Sequence, residues 1–390
     1  MAMQSTRAGL LALLAVGVLA VSACSAAPAP SAPASPPTPS ASPTPPPPPT
    51  AAEWAAERLD DMSLEQKAAS LLMLHAPGIE PGPLRALAEQ GIGGLILMGD
   101  NIPADADALA ALTSAVQLDP EARTLIAIDE EGGDVRRLPW DPAPGADALR
   151  GGSAAEATDA FRTRGEVLAA AGIDVNFGIV ADVTDDPDSF ISSRVLGLDA
   201  ASASPLVAGA VQGEQGLVAS TLKHFPGHGQ APGDSHESLP TSPLDLAGWR
   251  SIAAPPFQAG IDAGTELVMT GHLVFPAVDP APASLSTEWH RILREELGFE
   301  GVVVTDDLLM LQHNGLEEYQ DPGENAIRAV ASGSDLLLYV LPADPSEFGI
   351  SVDGLTAAIA DAVRSGRISE ARLDEAALRV LTLRRELAAD

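Results

Sequence analysis

Residues 217–240 read LVASTLKHFPGHGQAPGDSHESLP, and the reading of the whole chain turns on them. Leu217 to Leu222 is a short, apolar, partly β-branched run, which is the pattern of a buried strand. The run ends at Lys223 and His224, and Lys223 is one of only two lysines among the 22 basic residues. Pro226, Gly227, Gly229, Pro232 and Gly233 then exclude a helix, so His228, Asp234 and His236 ride on a loop. A strand delivers a cation and an imidazole, and the loop after it brings back a carboxylate and a second imidazole. Two other uses compete with catalysis. The histidines can be satisfied surface groups, or His224 and His228 can bind a metal with Asp234 or His236. The helical zinc motif needs two histidines four apart with a glutamate between them. Phe225, Pro226 and Gly227 fill that interval here, so the template fails and neither a metal nor another cofactor is expected.

Outward from this stretch, short apolar runs alternate with helical patterns. Strands are expected at 71–75, 94–98, 125–128, 175–180, 218–222, 267–270, 302–305 and 335–340. Helical patterns fall between them, as at 105–116, 154–171 and 255–263, and a last one spans 366–384. Eight βα repeats over about 340 residues give the expected fold class, an α/β protein with a single (β/α)8 TIM-type barrel. A doubly wound sheet is the competing architecture, but the chain carries no GxGxxG or phosphate-loop glycine pattern. In a barrel, chemistry sits where strands end. Asp129 and Glu130, Lys223 and His224, His272, and Asp306 and Asp307 all follow apolar runs in that way. Four such sets converge on one barrel mouth.

The net charge of −32 leaves no electrostatic footprint for nucleic acid or anionic lipid. Arg7 precedes an uncharged apolar run, Gly9 to Val21, too short to span a bilayer and suited to a signal peptide over residues 1–23. It ends in Val21-Ser22-Ala23-Cys24, which resembles a bacterial lipobox with Cys24 as the lipidated residue. Cys24 is the only cysteine, so no disulfide can form within the chain. Residues 25–50 hold 12 of the 34 prolines. Such a segment is extended, up to about 80 Å long, and reads as a spacer between a lipid anchor and a domain spanning 51–390. The expected location is the extracytoplasmic face of the cell membrane, with contact to the membrane only through the anchor. The sequence does not fix the oligomeric state, and a monomer is the expectation.

KHFPGHG, followed at this spacing by DSH and LP, closely resembles the signature of glycoside hydrolase family 3, in its single-domain β-N-acetylglucosaminidase branch. Further matches run from about Met62 to Leu383. The resemblance implies a retaining exo-acting enzyme on carbohydrate, removing terminal N-acetylglucosamine from cell-wall fragments or chitin-type oligosaccharides. IDEEGGDVRRL at 128–138 resembles the branch's sugar-binding segment, with Asp129 as the carboxylate on sugar hydroxyls and Arg137 as its arginine. Glu130 stands where glutamine is usual, and Asp134 where arginine is common. Arg194 in SSRVLG resembles another sugar-site arginine, Lys223 and His224 match the pair that holds the non-reducing sugar, and His272 is expected beside them. PASLS at 282–286 and LGFEGVVVTDDLLM at 297–310 extend the match, and Asp306 falls on the family's nucleophile. Asp307 reads as a helix-start or structural residue.

The proton donor that the resemblance implies is His236, supported by Asp234. An imidazole can give and take a proton near neutrality without the desolvation a glutamate needs. Because the chain as read ends at Asp390, the expectation is that the barrel completes its own site. A broader β-glucosidase or a glycoside phosphorylase remains open within the same family. A non-catalytic sugar-binding lipoprotein is the alternative from a different class.

Overall fold

The computed structural model describes residues 48–389, together with Ala23, Ala26 and Ala27. Cys24 and nearly all of the expected leader and spacer lie outside the described residues. The chain divides into two units, Met1–Pro48 and Pro49–Asp390, and the second is the barrel.

Its eight strands are β1 (Leu72–Leu74), β2 (Gly94–Leu97), β3 (Leu125–Ile128), β4 (Val175–Val180), β5 (Ala219–Phe225), β6 (Leu267–Thr270), β7 (Val302–Thr305) and β8 (Leu337–Tyr339). All pair in parallel in the order β8-β1-β2-β3-β4-β5-β6-β7. The ring closes between β7 and β8 through a bridge from Val304 to Leu336 and a bond from the Thr305 N–H to the Leu336 carbonyl at 3.0 Å. Every strand residue is buried, as expected for a parallel sheet covered by helices on its outer side.

The helices begin where their caps dictate. Ser153 and Glu156 form a capping box at the head of Ala154–Ala170, and Asp105 accepts from the Ala108 N–H at the head of Ala106–Ala115. The last helix, Glu370–Ala389, sends Arg372 and Arg379 to the buried Asp335, at 2.6 and 3.2 Å. Arg294 reaches the same carboxylate at 2.6 Å. Asp335 also accepts from the Val303 N–H at 2.9 Å, so this cluster ties the end of the chain to β7.

β5 departs from the sequence-based expectation. It runs on through Lys223 and His224 to Phe225, because Phe225 packs edge-on against Trp249, Phe257 and Trp289, with ring centres 5.4–5.9 Å apart. In a regular strand Lys223 and His224 would face opposite sides. The β5–β6 register slips between Leu222 and Phe225, and both side chains reach the same cavity. The loop that follows is tightly held. Trp249 donates its indole N–H to the Pro226 carbonyl at 2.8 Å, Gly227 takes a positive φ of 133°, and a Cβ on Gly229 would sit 2.1 Å from the Val183 carbonyl oxygen.

Candidate active site

A cavity of about 450 Å³ opens where the strands end. Asp129, Arg137, Arg194, Lys223, His224, His236 and Asp306 all line it, as do Asp134, Phe190 and Asp307. A second cavity, of about 480 Å³, lies over the opposite strand ends. Its charged groups serve the fold: Arg123 pairs with Asp174 at 2.6 Å, and Glu266 accepts from the Ser220 N–H at 2.8 Å.

One wall of the first cavity is an ion cluster. The Lys223 ammonium, 2% exposed, lies 2.7 Å from both Asp129 and Glu131. Arg194 forks onto the two oxygens of Glu131 at 2.9 and 2.7 Å, and Arg137 approaches Asp129 at 3.7 Å. Burial works to raise Glu131, but Lys223 and Arg194 outweigh it and hold its carboxyl at about 2. Burial likewise opposes the charge on Lys223, yet Asp129 and Glu131 raise its pKa, so it remains an ammonium at neutral pH. Glu131 therefore organises the two cations whose free faces, with Asp129, can meet sugar hydroxyls. The sequence reading gave it no role, although it stands between residues that had one.

His224 is oriented from behind. Its Nδ1 lies 2.7 Å from Asp182 Oδ2, and its backbone N–H donates to the same carboxylate at 3.1 Å. The His228 N–H adds a third bond at 2.6 Å. Burial pushes the His224 pKa well below the ordinary imidazole value, which keeps the ring neutral. With Nδ1–H committed to Asp182, Nε2 is left as an acceptor for a ligand hydroxyl. Asp182 follows β4 and was not singled out from the sequence.

Asp306 leaves β7 with its N–H donating to the Thr270 carbonyl at 2.9 Å, while its Oδ1 accepts from the Asp307 N–H at 2.8 Å. Burial works to raise its pKa, but the imidazoles of His224 and His272 and the Asp307 N–H outweigh it and hold the carboxyl below the ordinary aspartate range. Asp306 is thus an ionised carboxylate on a rigid strand end, as a nucleophile requires. Asp307 is different. It accepts from the Leu309 and Val340 N–H groups, each at 3.0 Å, and burial lifts its pKa to about 7. It braces β7 against β8.

His272 departs from its expected part in sugar binding. Its side chain is fully buried, with Nδ1 2.7 Å from Ser284 Oγ and Nε2 2.8 Å from the Asp307 carbonyl. Both nitrogens are taken by protein, so the ring supports the Asp306–Asp307 segment from behind.

The loop after β5 supplies the remaining pair. His236 Nδ1 lies 2.6 Å from Asp234 Oδ1, which also accepts the His236 backbone N–H at 2.9 Å. Burial acts to raise Asp234, but the backbone and ring N–H groups of His236 prevail and lower its pKa. An ionised Asp234 fixes the Nδ1–H tautomer and leaves Nε2 to the cavity, as the acid does in a Ser-His-Asp triad. Ser235, between them, bonds through Oγ to His228 Nε2 at 3.0 Å and pins this part of the loop to its first turn. The cavity therefore combines a carboxylate on one strand end, a carboxylate-supported imidazole from the loop after β5, and an ordered set of polar groups.

The chain is similar to known glycoside hydrolases in sequence and fold. A curated β-hexosaminidase of Bordetella pertussis is 34% identical over 298 residues, covering 68% of this chain and 82% of its own. Its counterpart in Methylobacillus flagellatus is 31% identical over 290 residues, covering 68% and 79%. A family 3 β-N-acetylglucosaminidase from Paenibacillus sp. superposes with a TM-score of 0.77 at 37% identity, over 84% of this chain and 64% of that one. A β-N-acetylhexosaminidase from Beutenbergia cavernae does so with a TM-score of 0.71 at 31% identity, over 83% and 99%. The model of the glycosyl hydrolase family 3 N-terminal domain matches residues 63–383, and the chain belongs to that family.

Proposed function

We propose that this protein is a retaining exo-β-N-acetylglucosaminidase that releases terminal N-acetylglucosamine from cell-wall fragments or chitin-type oligosaccharides. The observation that carries the reading is the presence of ionised Asp306 and the Asp234-supported His236 in one cavity whose wall is the Asp129–Lys223–Glu131–Arg194 cluster. In the first step the Asp306 carboxylate attacks the anomeric carbon. The C–O bond to the leaving group breaks, and the His236 Nε2–H proton passes to that oxygen. Asp234 stabilises the imidazolium that gives up this proton. In the second step neutral Nε2 takes a proton from water, whose oxygen displaces Asp306 and restores the β configuration. Asp129, Lys223, Arg194 and His224 hold the sugar hydroxyls. The curated relatives are β-hexosaminidases by name and the Paenibacillus enzyme a β-N-acetylglucosaminidase, which supports N-acetylglucosamine as the sugar.

Incubation with p-nitrophenyl N-acetyl-β-glucosaminide, the matching glucoside and a muropeptide, each with and without phosphate, tests the reading. Release of free N-acetylglucosamine, unaltered by phosphate, supports it. Release of a sugar phosphate, or preference for the glucoside, removes it. The protein acts at the extracytoplasmic face of the membrane, held by a lipid on Cys24 and the proline-rich spacer after it. Cys24→Ala then releases the protein into the medium, and a wild-type protein already soluble and unlipidated by mass spectrometry contradicts the anchor.

A further inference from the structure

Six large apolar side chains are exposed among the described residues, and Phe190 is the only aromatic one. It is also the only one of the six that lines the catalytic cavity. The loop after β4 carries it, and its ring stands over the boundary between the two halves of the site. The His236 ring meets it at 5.5 Å between centres with planes 71° apart, and the His228 ring lies 5.6 Å away. On the other side the Arg194 guanidinium approaches the same ring at 5.8 Å. Arg194 is itself committed to Glu131 by two bonds, and His236 to Asp234. The phenyl group therefore touches both the proton donor and the sugar-gripping cluster while being 38% exposed.

An exposed phenyl group costs solvation free energy that burial against an apolar surface recovers. The leaving oxygen must lie within reach of His236 Nε2, so whatever is bonded to that oxygen leaves the cavity past the phenyl ring beside it. A pyranose presents a face of C–H bonds suited to stacking on such a ring. We propose that Phe190 is the specificity-determining platform of the leaving-group subsite, where it takes the flat face of a β-linked pyranose. This rests on the glycosidase reading above. It further implies that the enzyme favours an oligosaccharide, whose second ring covers Phe190, over a glycoside of a small alcohol. Remote contact of this kind is used in kcat/KM, because it is made in the transition state as well as in the complex.

The test compares two substrates that both need a proton at the leaving oxygen but differ in what reaches Phe190. One is the β-1,4-linked disaccharide of N-acetylglucosamine, and the other is methyl N-acetyl-β-glucosaminide. Both pass through the same glycosyl-enzyme, so the ratio of their kcat/KM values isolates the leaving-group contact. In Phe190→Ala and in Phe190→Leu, which keeps bulk without the aromatic face, that ratio falls about five- to tenfold. In Phe190→Trp it recovers to the wild-type value or above. An unchanged ratio in both reduced variants overturns the proposal. So does an equal loss on the two substrates, which would make Phe190 a positioning residue for His236. A wild type that cleaves neither substrate refutes the glycosidase reading itself, and the platform falls with it.

Discussion

Replacing Glu130 by glutamine is the most informative single change outside the reacting groups. The Glu130 side chain is fully buried. Its Oε2 accepts from the Arg137 and Leu138 N–H groups at 2.8 and 2.9 Å, while Oε1 has no protein partner. Burial lifts its pKa from 4.5 to about 7, with the two N–H donors and Arg164 opposing that rise and Asp141 adding to it. A native pKa above the unfolded one means that the native state holds the proton longer. Stability is therefore unaffected by this group below about pH 4.5, falls as the pH rises towards 7, and stays reduced above it. At about 1.4 kcal/mol per unit, the shift sets a loss on the order of 3 kcal/mol by pH 8. Glutamine retains the acceptor for Arg137 and Leu138 and never ionises. Glu130→Gln should thus be more stable than wild type at pH 8 by several degrees in melting temperature, with the gain vanishing near pH 4.5–5. Differential scanning calorimetry of both proteins across this range is the assay. A difference that is the same at pH 5 and pH 8, of either sign, refutes the argument, because any packing or hydrogen-bonding effect of the amide is present at both.

Two further changes separate binding from support. Lys223→Ala should lower kcat/KM at least tenfold and also destabilise the fold by about 3–5 kcal/mol, since it leaves Asp129 and buried Glu131 without their shared cation; wild-type efficiency or an unchanged melting temperature contradicts this. His272→Ala should cost about 2–3 kcal/mol, because Ser284 Oγ and the Asp307 carbonyl lose their partner. It should reduce kcat more than it alters KM, since the ring meets no ligand, and the reverse pattern would return His272 to the sugar site.

The barrel was legible in the sequence because parallel strands buried on both faces are written as unbroken apolar runs. All eight were read, and β3, β4, β6 and β7 were read to the residue. β5 was read short: Lys223 and His224 look like a polar stop, and only the register slip and the aromatic cluster around Phe225 show that the strand carries them. Side chains at strand ends were read well as a group, but their depth was not. Position relative to a strand places Lys223 and His272 alike, yet one reaches the cavity and the other sits behind it with both nitrogens bonded. The residues that orient the site were missed for a related reason. Glu131 and Asp182 are buried, and their roles lie in contacts with Arg194, Lys223 and His224 that are 42 to 92 positions distant. Lys223 illustrates the consequence. Read from sequence it is a sugar-holding group, whereas its 2% exposure between two carboxylates makes it part of the core of the site as well.

The division of labour between Asp306 and His236 is the centre of the account, and His236→Ala tests it most directly through its leaving-group dependence. A dinitrophenolate leaves without protonation, whereas a sugar alcohol needs the proton. Glycosylation from a dinitrophenyl N-acetylglucosaminide should therefore persist in the variant, and cleavage of the disaccharide should fall by roughly 10² to 10⁴. Water then lacks its base, so the sugar should remain on Asp306 and be seen as a covalent adduct by intact-protein mass spectrometry. Azide, which needs no base, should clear the adduct and give the β-azide. Asp306→Ala should show neither adduct nor turnover with any leaving group. Equal losses on both substrates in His236→Ala, with no adduct and no rescue by azide, would contradict the account and place the proton donor on another residue.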